Sequence, residues 1–312
     1  MPVSNLRLYT RKEINSKQWD SFVERSWNGL PYAYSWYLDI VTKGRWKALI
    51  NADNSAVMPL PLAPLRFGFR QMLKRRTGWH TWVLQPLFCQ QLGLFAERPL
   101  QKDETTVFLK ELFRNFPKIA VYCLNENMSL PKKILAGAYK MRTNYLLDLN
   151  RAYKEIRRGY SASHRRALKK SKEAWQYKES CAFSETFFQN HARYLGKKTG
   201  LNQRAYRRWA TLAQTVMHKK QGFFARVKNH QKTVCAEAFI LQSHNRLIYQ
   251  GGYVLPEAQA RMPMHALFDG LIQRHAGQKL LLDFEGSDLP GVAEFFRRFG
   301  AQKRSYGCVW RG

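Results

Sequence analysis

Two carboxylates in the run KLLLDFEG are the residues best placed for chemistry. Alternation along a strand sets Leu281, Asp283 and Glu285 on one face and Leu280, Leu282 and Phe284 on the other. Like charges side by side favour proton uptake, which suits a group that must take a proton from an amine nucleophile. The competing assignment is structural: one carboxylate caps the next helix or pairs with Arg297 or Arg298. Glu237, alternating with Cys235 and Phe239 one strand earlier, is a third acid, whose structural assignment is an exposed charge on the sheet. Gly251 and Gly252 beside Tyr249 permit close backbone approach by a ligand, or else accommodate a bulge.

The second group of interest is cationic. Arg165, Lys169 and Lys172 share one helical face, and Arg166 and Lys170 the adjacent one. Five cations repel one another, and those near the helix start oppose its dipole, so a polyanion or a solvated face must offset them. Arg261 lies in the loop Gln259-Ala260-Arg261-Met262-Pro263-Met264, just before a helical run over 264–275. The dipole of that helix favours an anion near Arg261, against the alternative of a solvated loop arginine. No P-loop, zinc-ligand set or Gly-x-Ser-x-Gly elbow occurs.

The elements that must position these residues occur twice. Residues 246–254, 264–275, 279–285, a short helix opened by Asp288-Leu289-Pro290, and 303–310 read strand, helix, strand, helix, strand. The same order runs through TWVLQPLFCQQLGLF, DETTVFLKELFRNF, KIAVYCL, Ser129-Leu130-Pro131 with KKILAGAY, and NYLLDL. QLGLF against QGGYV and SLP against DLP fall at one offset of 159 residues, a sign of internal duplication. Hairpins precede both copies: WKALI, NADN and SAVMPLPLA in the first, FFARVKN and TVCAEAFILQ in the second. The expected fold is α/β: a mixed, mostly antiparallel sheet flanked by helices, given twice, with domains 1–150 and 151–312. Residues 15–25 read as a helix, and 150–222 as a mainly helical, basic entry to the second domain.

Composition bounds the rest. The 312 residues carry 52 Lys+Arg against 22 Asp+Glu, a net charge of +30, with 45% hydrophobic residues. That is too many core formers for disorder. Residues 1–150 hold 22 basic and 11 acidic residues (+11), the remainder 30 and 11 (+19), so the second half bears most of a field that attracts nucleic acid, phosphorylated ligands or an acidic membrane face. Five cysteines, at 89, 123, 181, 235 and 308, include no CxxC pair. The expectation is unpaired thiols packed as small hydrophobes in a reducing, cytoplasmic compartment. No apolar run reaches the ~18 residues of a membrane span.

The order of elements resembles the GNAT acyltransferase fold, and two units in tandem resemble the Fem family of peptidoglycan-bridge aminoacyltransferases and FemAB-like relatives. The residues carrying the resemblance are SASHRRALKKSKE (161–173), CAEAFILQ, LIYQGGYV, PMHALFDGLIQ and LLLDFEGSDLPGVAEFFRRFGA (280–301). It covers most of 155–312, and the first half by architecture alone. It implies an N-acyltransferase that moves an acyl or aminoacyl group to an amine acceptor such as a cell-envelope precursor. Acyl-CoA or aminoacyl-tRNA would be the co-substrate. Arg261, Tyr249, Gly251, Gly252 and Met264 would then hold the donor, with Glu285, Asp283 and Glu237 the candidate bases. Arg165, Arg166, Lys169, Lys170 and Lys172 would meet tRNA or a phosphorylated acceptor. The long helical arm of some Fem enzymes has no counterpart here. The loop before 264–275 also lacks the glycines with which GNAT enzymes cradle pyrophosphate. A non-enzymatic RNA- or anionic-lipid-binding protein that retains the fold is the alternative. Aligning KLLLDFEG with KIAVYCLN sets Tyr122 opposite Asp283 and Leu124 opposite Glu285. The first module therefore lacks both carboxylates and is expected to be a degenerate scaffold.

Overall fold

A computed structural model describes residues 6–64, 81–128, 130–131, 138–171, 175–286 and 290–312. The chain forms two compact units, Met1–Arg142 with Ser305–Gly312, and Thr143–Arg304. These limits differ from a cut after residue 150. The strand over 139–148 passes into the second unit at Thr143, and the last strand returns the chain to the first.

The first unit contains β1 (Leu6–Thr10), α1 (Ser16–Arg25), α2 (Ser35–Thr42), β2 (Trp46–Asn51), β3 (Ala56–Pro64), β4 (Thr81–Leu84), β5 (Phe95–Ala96), α3 (Lys102–Asn115) and β6 (Ile119–Cys123). α1 starts where Asn15 Oδ1 accepts from the amides of Lys17 and Gln18, at 3.0 and 3.1 Å. The expected β2–β3 hairpin is present, with Ile50 paired to Val57. β1 pairs with β2 antiparallel, and α2 forms from the aromatic run SWYLDIVT; neither is evident from periodicity. The run from Thr81 to Ala96 is not one strand. Pro86 removes a ladder donor and Phe88 sits at φ 65°, so β4 ends at Leu84 and β5 pairs separately with β3. β4 and β6 are parallel.

The second unit holds β7 (Tyr139–Asp148, from Thr143), α4 (Tyr153–Arg158), α5 (Ala162–Ser171), β8 (Gln176–Ser180), α6 (Glu185–Thr199), α7 (Gln203–His218), β9 (Gly222–Lys228), β10 (Val234–Ser243), β11 (Arg246–Val254), α8 (Pro263–His275), β12 (Leu281–Asp283) and α9 (Pro290–Arg297). Its strands order β7-β12-β11-β10-β9-β8. β11 and β12 are parallel and the other pairs antiparallel. Residues 150–222 are mainly helical, with the edge strand β8 in addition. The core packs Leu247, Leu267, Phe268, Leu271, Leu282, Phe284 and Phe296 into one cluster. The final strand, β13 (Gln302–Arg311), pairs with β6 inside the first unit.

That pairing corrects the reading of the cysteines. Cys308 lies directly opposite Cys123 on the antiparallel neighbour, and the two form a disulfide across 185 residues of sequence. Spacing along the chain cannot reveal it, because the partners meet only when the last strand rejoins the first unit. Cys89 and Cys235 are free and buried, and Cys181 is free and exposed. The expectation of a reducing compartment rested on unpaired thiols, and this pair removes that support.

Candidate active site

β11 runs nine residues, yet its pairing with β12 ends at Ile248 opposite Asp283. Beyond that point Tyr249–Val254 continue along one side while the other chain turns away through Phe284, Glu285 and Gly286. β11 thus runs on past the end of its pairing with β12. The turn is sharp: Glu285 adopts φ 54° and Gly286 φ 59°, conformations that side chains disfavour. A Cβ on Gly286 would lie 2.0 Å from Thr143 O, so only glycine fits there. Asp283 Oδ1 supports the turn by accepting from Glu285 N at 2.9 Å.

The two carboxylates have different surroundings. Asp283 is 1% exposed and its Oδ2 lies 2.9 Å from Arg246 Nη1, itself 9% exposed. Arg246, two residues before Ile248 on the same strand face, is the partner, rather than Arg297 or Arg298, which both bind Glu294. Asp283 is thus a buried, ion-paired support for the turn. Glu285 is partly exposed and accepts from Gln250 Nε2 at 2.5 Å. Its charge, after burial, raises the pKa of Tyr249, which keeps that phenol protonated.

Gln250 is the residue the sequence reading missed. It is looped out of register on β11, since Phe239 pairs with Gly251 and Ile240 with Tyr249. The only hint was the pair of glycines that follows it. Their role is steric as well: a Cβ at Gly251 would come 2.8 Å from Trp209, and one at Gly252 2.8 Å from Glu237 O. Glu237, 2% exposed, binds Arg226 Nε at 2.6 Å and accepts from Tyr253 Oη at 3.1 Å. It lies in a closed network under α6, where Asn190 Nδ2 donates to Tyr253 Oη at 3.0 Å, and not on an exposed sheet face.

At the start of α8 the loop forms a 3-10 turn over Pro256–Arg261, followed by Met262 at φ 56°. Met262 N and His265 N donate to Gln259 O and Met262 O, and Pro263 has no N–H. Few backbone donors remain for an anion in this first turn, so side-chain charge, with Arg261 exposed, would carry more of the binding. Met264 packs partly buried against the core. Nearby, His164 from α5 meets His265 edge-on at 4.5 Å between ring centres, with Phe295 and Phe299 around them. Burial holds both imidazoles down to about 4.

On α5, Arg166 and Lys169 are exposed. Arg165 is engaged with its own fold, Nη1 donating to the carbonyls of Arg158, at 3.3 Å, and Tyr160. The side chain of Lys170, and Lys172 entirely, lie outside the described residues.

This arrangement, a mixed sheet flanked by helices with a parallel strand pair in each unit, is the Fem-like tandem GNAT fold. Among solved structures the chain is similar to FemX, at TM-score 0.66 and 11% identity over 94% of this chain and 96% of that one. It is also similar to L-PGS from Bacillus licheniformis, at TM-score 0.55 and 14% identity over 96% and 92% of the two chains. A third match is the C-terminal domain of a putative lysylphosphatidylglycerol synthetase from Agrobacterium fabrum, at TM-score 0.50 and 11% identity over 94% and 92%. No family model and no curated protein sequence matches the chain.

Proposed function

We propose that the second unit is an N-acyltransferase that moves an acyl or aminoacyl group to an amine acceptor. The observation that carries this is the end of the β11–β12 pairing at Ile248 and Asp283, with Glu285 in the turn that follows, where it accepts from Gln250, and Tyr249 near its charge. The β11 backbone beyond its pairing with β12 can bind a donor carbonyl or amide chain, Glu285 can take the proton of the attacking amine, and the protonated Tyr249 can donate to donor or leaving group. Fold similarity to FemX and L-PGS supports the class. The donor is an aminoacyl-tRNA or an acyl-CoA. The glycine-free turn before α8 and the exposed cations of α5 favour the former, and a length that leaves no room for a long helical arm favours the latter. The acceptor is an amine on a cell-envelope precursor, and an acidic membrane face would attract the +30 chain. No helix among the described residues is long and apolar enough to cross a membrane. The test is transfer from radiolabelled aminoacyl-tRNA, and separately from acetyl-CoA, to a panel of amine acceptors, comparing wild type with Glu285→Gln. Transfer that survives Glu285→Gln unchanged would reject the assignment of the base.

A further inference from the structure

The bulge on β11 places one polar atom in an unusual position. Gln250 donates its Nε2 hydrogen to Glu285 Oε1 at 2.5 Å, while its own Oε1 is buried and has no hydrogen-bond partner. A carboxylate can only accept, so the amide must present its NH2 to Glu285, and the orphaned atom is the carbonyl oxygen. A buried carbonyl without a donor is costly, and a natural protein seldom retains one without a use for it. The residue is also out of register on its strand, so no ladder requirement explains a glutamine here.

We infer that Gln250 Oε1 is the positioning group for the acceptor nitrogen, and that the site is built for a primary amine and against a hydroxyl. The inference rests on the transfer reading above. Gln250 Oε1 and Glu285 are both acceptors, and they adjoin through the same amide. A group satisfying both needs two hydrogens on one heavy atom. A neutral primary amine has them: one N–H is lost on acylation and the other survives in the product amide. A hydroxyl has a single hydrogen, and giving it to Glu285 leaves the Gln250 oxygen empty.

The step balances as follows. The nitrogen lone pair attacks the donor carbonyl carbon and the C–N bond forms. The nitrogen gives one proton to Glu285, and the C–O bond of an aminoacyl ester, or the C–S bond of a thioester, breaks with its electron pair going to the leaving atom. That atom ends protonated, and the remaining N–H stays on Gln250 Oε1. Glu285, partly exposed, is the side from which the amine arrives.

Two measurements on the full chain test this. In the first, side-chain amide resonances of 15N-labelled protein are followed during titration with n-butylamine and with n-butanol, the Gln250 signal being assigned by its loss in Gln250→Leu. Amine should shift that signal and alcohol should not; equal shifts, or none, overturn the inference even if transfer is found. In the second, peptides differing only in lysine against 6-hydroxynorleucine are offered with the donor that supports transfer. Gln250→Leu should reduce kcat/KM for the amine by about 10–100-fold, mainly through KM, and erase the preference over the hydroxyl. Retained preference in Gln250→Leu overturns it. Absence of transfer in wild type rejects the transferase reading instead and leaves the resonance shifts to judge amine binding. Thermal melting separates a structural role: Gln250→Leu should melt within a few degrees of wild type, because it removes an orphaned acceptor along with one donor. A large loss of stability would make Gln250 a fold residue and end the assignment.

Discussion

Tyr122 Oη accepts from Gly93 N at 3.0 Å and donates to Pro59 O at 2.6 Å, with the ring fully buried. Tyr122 is the counterpart of Asp283, and Gly93 stands where the second unit has Gly251 and Gly252. In the first unit, therefore, the strand end that parts in the second is tied shut by a side chain. Burial drives the Tyr122 pKa upward, so the phenol remains a donor at any ordinary pH.

Tyr122→Phe should leave transfer intact while lowering stability by about 1–3 kcal/mol, because Gly93 N and Pro59 O lose their partner in a dry site. Paired melting curves and turnover assays check this. A fall in turnover with unchanged stability would place chemistry in the first unit.

The two carboxylates of the second unit should separate cleanly under mutation. Glu285→Gln should lower turnover by at least ~100-fold with little change in melting temperature. Asp283→Asn should instead destabilise by about 3–5 kcal/mol, since it strands the buried Arg246 charge. Denaturant titration of both variants distinguishes the roles, and an unfolding midpoint unaffected by Asp283→Asn would refute the second.

Arg166 and Lys169 of α5 should act on polyanions, and Arg165, also exposed but bonded to backbone carbonyls, should not. Arg166→Gln with Lys169→Gln should weaken tRNA binding and flatten its salt dependence, each lost phosphate contact removing about 0.7–0.9 from the slope of log K against log salt. Arg165→Gln should cost stability, because its guanidinium ties down the carbonyls of Arg158 and Tyr160. Filter binding over a salt series provides the slopes.

Thiol counting checks the disulfide. The denatured, unreduced protein should take up alkylating reagent at Cys89, Cys181 and Cys235 alone, and at all five cysteines after reduction. Cys308→Ser should cost about 2–5 kcal/mol, as the cross-link closes a very long loop in the unfolded chain. Mass spectrometry of intact protein reads the count.

Acid should destabilise the second unit through its buried histidines. His164, His191 and His265 are each held down to about 4, mainly by burial, with Arg298 adding to the effect at His164 and His265. The unfolded chain takes up these protons near the ordinary value of 6.5, so stability is full above that pH and declines as pH falls toward 4. Glu294 and the cations Arg165 and Arg166 of α5 also belong to this region, so the diagnostic variant is His164→Phe. It should reduce the slope of stability against pH between 6.5 and 4, measured by denaturant titration; an identical slope would contradict the depressed imidazole.

The duplication, the hairpins, the helix starting near Pro263 and the strand that ends at Asp283 were legible from local sequence, whereas Glu285, which alternation placed on that strand, lies past its end in a left-handed turn. Each depends on periodicity, turn residues or a repeated spacing, which act over a few residues or at one constant offset. β1 and β8 escaped because each is an edge strand of five residues, too short to establish a period. α2 was hidden because its eight residues are mostly apolar, with Asp39 the one charge to mark a polar face.

What the sequence determined by itself was the tandem α/β plan, the strong positive field and the identity of the residues near the strand end. Only the tertiary structure decided their roles. It set Arg246 against Asp283, enclosed Glu237 with Arg226 and Tyr253, joined Cys308 to Cys123 and turned Gln250 toward Glu285. The reason is physical: a charge or a thiol changes character with its neighbours, and these neighbours lie 11 to 185 residues away along the chain. Pairing across strands sets such distances, and no local pattern encodes them.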